Sequence, residues 1–184
     1  MAWTNLGTVA PGDVLRANSG TAAYNNVIGN VKDIRAAQTN IVSTFKEDAF
    51  SRTTAQQTFV DITGLSVSIT PSSSTSKVLI TAVITCGSTG AGDYLMFKLL
   101  RGSTDIAVPT TSVGSFPASA GVTIKTTDIL GTVMIQYLDS PATTSATTYK
   151  IQGRNSSANN YYVNYRGDTT TRTVSSITAQ EVPV

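Results

Sequence analysis

Histidine is absent from the 184 residues. That removes Ser-His-Asp and Cys-His nucleophilic systems and most transition-metal sites. Cysteine occurs once, at Cys86, which excludes an intrachain disulfide and any thiolate metal cluster. Charge is scarce too: 13% of residues are charged, with 13 basic and 11 acidic side chains interspersed. A net charge of +2 without a basic stripe predicts no nucleic-acid partner, and there is no polybasic membrane signal. No run of 18 or more apolar residues occurs, so no membrane insertion is expected. The first 20 residues carry no charged segment followed by an apolar core, so no secretory leader is expected and synthesis is assigned to a cytoplasm.

What remains is 40% hydrophobic and rich in Ser, Thr, Gly and Asn. Such a chain can bury a core, and its Thr, Val and Tyr favour strands. Its solvated faces must be dressed largely in hydroxyls.

Two regions are expected, divided near residue 50: 1–50, an anchoring arm and helical stem, and 51–184, a β-sandwich head. Residues 1–20 contain Pro11 and three glycines and lack periodicity, which predicts an extended arm. Trp3, the sole tryptophan, is the candidate anchor, docking either on a partner chain or on the chain's own head. From Thr21 to Phe45, Tyr24, Val27, Val31, Ile34, Gln38, Ile41 and Phe45 recur at alternating steps of three and four. That spacing predicts a helix with an a/d seam of about three heptads. A helix of about 24 residues runs about 36 Å and is marginal alone in water. The seam therefore calls for partner copies, the alternative being one helix lying on its own sandwich.

Beyond Ser51 the pattern is strand and turn. Leu65, Val67 and Ile69 alternate with Ser66, Ser68 and Thr70. Lys77 to Cys86 is apolar on both faces and reads as a central strand. Further segments follow at 93–101, 104–108 (after a Gly102–Ser103 turn), 122–125, 129–138, 147–152, 161–166 and 173–179. About nine strands with turn signals between them predict a mainly β fold, an antiparallel sandwich or jelly roll.

Candidate chemistry is thin. Cys86 lies in the most apolar strand and reads as a small hydrophobe. Asp61, Asp93, Asp105, Asp128, Asp139 and Asp168 fall at turns, where Asp serves local hydrogen bonding. Glu47 and Asp48 read as a solvated linker. The triplet Arg166-Gly167-Asp168 and the sequon at Asn155 are coincidences of composition. Tyr161, Tyr162 and Tyr165 form an aromatic cluster suited to a subunit contact or to sugar stacking. On a regular strand Tyr161 and Tyr165 share one face and Tyr162 the other. No catalytic residue, metal or cofactor is expected, and the chain is expected not to be an enzyme.

The stretch TFVDITGLSVSITPSSSTSKVL at 58–79 resembles the opening hairpin of small jelly-roll domains in bacteriophage virion proteins. LLRGSTDI at 99–106, MIQYLDSPATTSATTYKIQGRN at 134–155 and SSITAQEV at 175–182 look like later parts of the same module. PGDVLRANSGTAAYNNVIGNV at 11–31 is similar to N-terminal segments of phage fibre and virion proteins. The resemblance implies a trimeric, tumour-necrosis-factor-like head on a virion structural protein. With one short stem and one head, it suits a capsid decoration (cement) protein or short head fibre, attached by its arm to other capsid or tail proteins. The alternative is a tail fibre or receptor-binding adhesin gripping a host surface glycan.

Overall fold

The computed structural model describes residues 40–52, 58–110, 116–127, 129–166 and 170–184. These form eleven strands and, among the described residues, no helix. The strands are β1 (Ile41–Lys46), β2 (Phe50–Arg52), β3 (Val60–Ile69), β4 (Lys77–Ser88), β5 (Asp93–Arg101), β6 (Thr104–Ile106), β7 (Ala120–Ile124), β8 (Gly131–Asp139), β9 (Thr147–Asn155), β10 (Tyr161–Val163) and β11 (Ser175–Val182).

Alternation drives the burial. In β4, Val78, Ile80, Ala82, Ile84 and Cys86 are buried while the residues between them are half-buried, as befits a strand with neighbours on both edges. In β3 the buried set Leu65, Val67 and Ile69 is joined by Ile62, one position out of phase. The phase slips because the pairing of β3 with β9 shifts between Asp61 and Ser66, where Gly64 takes a φ of 85°. A bulge there returns both Ile62 and Leu65 to the core. The expected Gly102–Ser103 turn closes the β5–β6 hairpin, pairing Arg101 with Thr104 and holding Gly102 at a φ of 59°.

All pairings are antiparallel, in two sheets. On one edge of β4, β11 pairs with residues 77–83 and β10 with 86–88; β8 pairs along the other edge. Outside β11 and β10 lie β1 and β2 respectively. The first sheet therefore has four columns: β1 with β2, β11 with β10, β4, and β8. The second has four as well: β3, β9, β5, and β6 with β7 along the far edge of β5. The chain alternates between sheets at every column except the β5–β6 hairpin. The core lies between them, with Tyr149, Phe97, Ile151 and Leu99 facing the aliphatic row of β4 and Tyr161 beside the end of β4 in the same sheet.

Two expectations are corrected here. Ile41 and Phe45 belong to a strand, not to the end of a helix. Residues four apart share a face in both geometries, so their spacing does not discriminate. The run Ile41-Val42-Ser43-Thr44 is poor in helix formers, and β11 supplies its hydrogen-bonding edge. The boundary also moves, because β1 and β2 complete the outer column of the first sheet and the compact unit runs Thr39–Val184. Trp3, Tyr24, Val27, Val31, Ile34 and Gln38 lie outside the described residues.

Candidate functional site

In a chain without histidine, carboxylates and the lone thiol are the groups to place first. Each described aspartate named above is engaged by neighbours. Asp139 is buried, takes Arg101 Nη1 at 3.0 and 2.9 Å on its two oxygens, and accepts from Tyr149 Oη at 2.7 Å. Burial and this bond to Asp139 push the Tyr149 phenol well above its ordinary value. Asp93, also buried, accepts from Ser88 Oγ, Asn155 Nδ2 (2.9 Å), Ser157 Oγ (2.7 Å) and Asn159 Nδ2 (3.1 Å). Burial alone would raise its pKa, but the four donors outweigh it and hold the carboxyl below the usual range.

Asp61 accepts from Lys150 Nζ and Gln152 Nε2, both at 2.8 Å, which lowers its pKa. Lys98 pairs with Asp105, and buried Lys46 with Asp48. Burial pushes the Cys86 thiol up to about 12. Among the described residues no three His, Cys, Asp or Glu side chains converge as a metal would require. Asp128 and Asp168 lie outside the described residues.

The outer faces of the two sheets differ sharply. The second sheet turns Asp61, Lys98, Lys150, Asp105 and Arg154 outward, and the first four of these form ion pairs within the chain. Arg154 is only 1% exposed, because Phe116 stacks on its guanidinium at 3.5 Å and Phe59 lies 5.8 Å away. Its Nε donates to the Asn155 carbonyl at 3.3 Å, while Nη1 makes no hydrogen bond. Burial lowers the guanidinium's pKa.

The first sheet turns outward almost nothing charged. Its register lays Ile41, Gln180, Leu79 and Leu138 in one row across four strands. The next row is Ser43, Thr178, Thr81 and Gln136, and the third is Phe45, Ser176, Val83 and Met134. Two apolar-ended rows thus flank a hydroxyl and amide row, in which Ser43 and Thr178 share a hydrogen bond of 2.7 Å. Phe45 is 69% exposed, Met134 64%, Ile41 51% and Leu138 45%. Among the described outward side chains of β1, β11, β4 and β8, Lys77 at one end is the only charged one. Of the expected seam residues, Ile41 and Phe45 are thus brought together on an open face. The face itself was missed, since Met134 and Leu138 signal it only as apolar residues at alternate positions of β8.

The tyrosines divide otherwise than regular alternation predicts. Tyr161 and Val163 point into the core, and Tyr162 faces outward beside Ser51 and Gly87. Tyr165 joins Tyr162 rather than Tyr161, ring edge to face at 4.8 Å. The cause is Asn164, whose φ of 62° turns the chain and breaks the two-residue period. Arg172 covers the Tyr165 ring at 4.3 Å, and Tyr162 is 9% exposed.

Fold and faces together define an antiparallel β-sandwich protein with one ion-paired face and one nearly uncharged, partly apolar face. No family model matches the chain, and no curated protein matches it. Solved structures of infectious bursal disease virus do match. A chain of the Gx strain structure is 18% identical, with a TM-score of 0.41 over 78% of this chain and 38% of that one. The VP2 subviral particle gives 14% identity and a TM-score of 0.43 over 80% and 38% of the two chains. The T13 viral particle gives 14% identity and 0.44 over 78% and 35%. The chain thus spans a little over a third of the length of the proteins it matches. A likeness at this level transfers no function from one protein to another.

Proposed function

We propose that this chain is a non-enzymatic structural protein of a bacteriophage virion, with a jelly-roll head that assembles as a homotrimer and an N-terminal arm that attaches it to the particle. The role is capsid decoration (cement) or a short head fibre. One observation carries it: the sequence phrases that resemble phage virion modules all fall on strands and connecting turns of one sandwich, and the last coincides with a whole strand. Residues 58–79 span β3 and its turn into β4; 99–106 form the β5–β6 hairpin; 134–155 run from β8 through β9; and 175–182 are β11. The column order, alternating between sheets except at one hairpin, is the order of a jelly roll and supports the same reading. Buried area and avidity at repeated sites then stabilise the particle, with no chemistry performed.

The adhesin alternative is less well served. Tyr161 is buried, Tyr162 nearly so, and Tyr165 lies under Arg172, so no open aromatic platform for a sugar is formed by these three.

Binding of the purified chain to particles that lack it tests the proposal, with copy number read from particle protein. Decoration predicts tens to hundreds of copies per particle and loss of binding when residues 1–20 are removed. Retained binding by that truncation refutes the anchoring role, and a few copies at the tail favours the adhesin.

A further inference from the structure

We propose that the outer face of the β1–β11–β4–β8 sheet packs against the same face of a second copy of this chain. The inference rests on the reading of the chain as an assembling structural protein and adds a two-fold contact between copies, separate from the three-fold contacts of the proposed trimer.

The pattern of the face is self-complementary. A two-fold axis through its middle lays the Thr81 row on the partner's Thr81 row and sets each apolar-ended row on another. Hydroxyls and amides then meet groups that both donate and accept, and Phe45, Met134, Ile41 and Leu138 meet apolar side chains. No like charges are brought together, because the rows contain none. The opposite sheet lacks this property: Asp61, Lys98, Lys150 and Asp105 are spent on ion pairs within the chain, and Arg154 lies against Phe116.

The size suffices. Strands of 6, 8, 12 and 9 residues, about 4.8 Å apart and rising about 3.3 Å per residue, cover about 19 Å by about 29 Å on average. That is roughly 550 Å² per copy and roughly 1,100 Å² for a pair, just above the lower limit for a specific interface. Left in water, exposed aliphatic and aromatic groups in such a patch are what association would remove.

Sedimentation equilibrium of the full chain tests this, comparing the wild type with the double variant Phe45→Lys, Met134→Lys. Both side chains are more than 60% exposed, so the thermal midpoint is expected to stay within a few degrees of the wild type. The expected result is that the wild type associates and the variant loses that association by at least tenfold in affinity. Gln136→Lys, a single charge in the middle row, is the second variant should the first fold poorly. A Val27→Asp, Ile34→Asp chain, altered only in the expected helical seam, is expected to keep the face contact.

A lysine variant that folds and sediments as the wild type does overturns the proposal. If both are single subunits, the face is bare or covered by other residues of its own chain; if both are assembled, copies join elsewhere. Particle binding reads the other claim separately. A face variant that still decorates particles leaves the structural role standing, and a paired chain that binds no particle leaves only the interface.

Discussion

Asn164 Nδ2 lies 2.6 Å from the carbonyl oxygen of Lys46, joining backbone segments 118 positions apart. The same nitrogen reaches the Asp48 carbonyl at 3.2 Å, and Asn164 Oδ1 accepts from Ser175 Oγ at 2.5 Å. Ser175 Oγ in turn accepts the Thr85 amide at 3.0 Å. One column breaks between β1 and β2 and the adjacent one between β10 and β11, at the same level of the sheet. Asn164 satisfies groups that both breaks leave without ladder partners.

Asn164→Ala is therefore expected to lower stability by about 3 kcal/mol, measured by urea unfolding. It removes a buried donor and acceptor at once and places a Cβ-bearing residue without a local hydrogen bond at a φ of 62°. Asn164→Gly, which accommodates that φ, loses the same side-chain bonds but should cost less than Asn164→Ala; an equal or greater loss would show that the left-handed φ adds no penalty and that the side-chain bonds carry the effect.

Tyr149→Phe is expected to cost about 1 kcal/mol. It removes one bond to Asp139 but leaves that buried carboxylate held by Arg101. Asp139→Ala should cost about 3 kcal/mol, because it strands both the phenol and the guanidinium. Equal losses in the two variants would contradict the arrangement.

Acid should destabilise the fold in part through Asp93. Its folded pKa lies below the ordinary value of 3.8, so its contribution is complete above that value and disappears as pH falls through the lower, folded one. Glu181 acts in the same direction from its ordinary 4.5: burial would raise it, but bonds from Ser72, Ser76 and Asn40 hold it lower. Thermal midpoints of wild type and Asp93→Asn are expected to differ at pH 7 and to converge towards pH 2. A constant difference across that range would count against the assignment.

Cys86 should resist thiol reagents in the native state at pH 8 and react fully in denaturant. Its sulfur is buried, and its pKa is pushed up to about 12, leaving very little thiolate. Rapid native labelling would mean that the core around β4 opens far more readily than its packing implies.

Much of this fold was legible in particular residues. Leu65, Val67 and Ile69 declare a buried face by alternation alone. The doubly apolar run from Lys77 to Cys86 declares a central strand, and Gly102–Ser103 a turn. Other features were not legible, because a local period has more than one structural solution. Ile41 and Phe45 suit a helix or a strand equally until β11 offers an edge. Tyr165 changes sides only because Asn164 takes a left-handed conformation held by Lys46, Asp48 and Ser175. Asp139 looks like a turn aspartate until folding carries it beside Arg101 and Tyr149.

By itself, the sequence determined which side chains seek burial and which chemistries are closed to a chain without histidine, since composition and nearest-neighbour periodicity are local properties. Only the tertiary structure decided which apolar residues stay bare. Phe45 and Met134 share a row because β11 and β4 lie between their strands, and strand order is set by contacts between segments far apart in the chain.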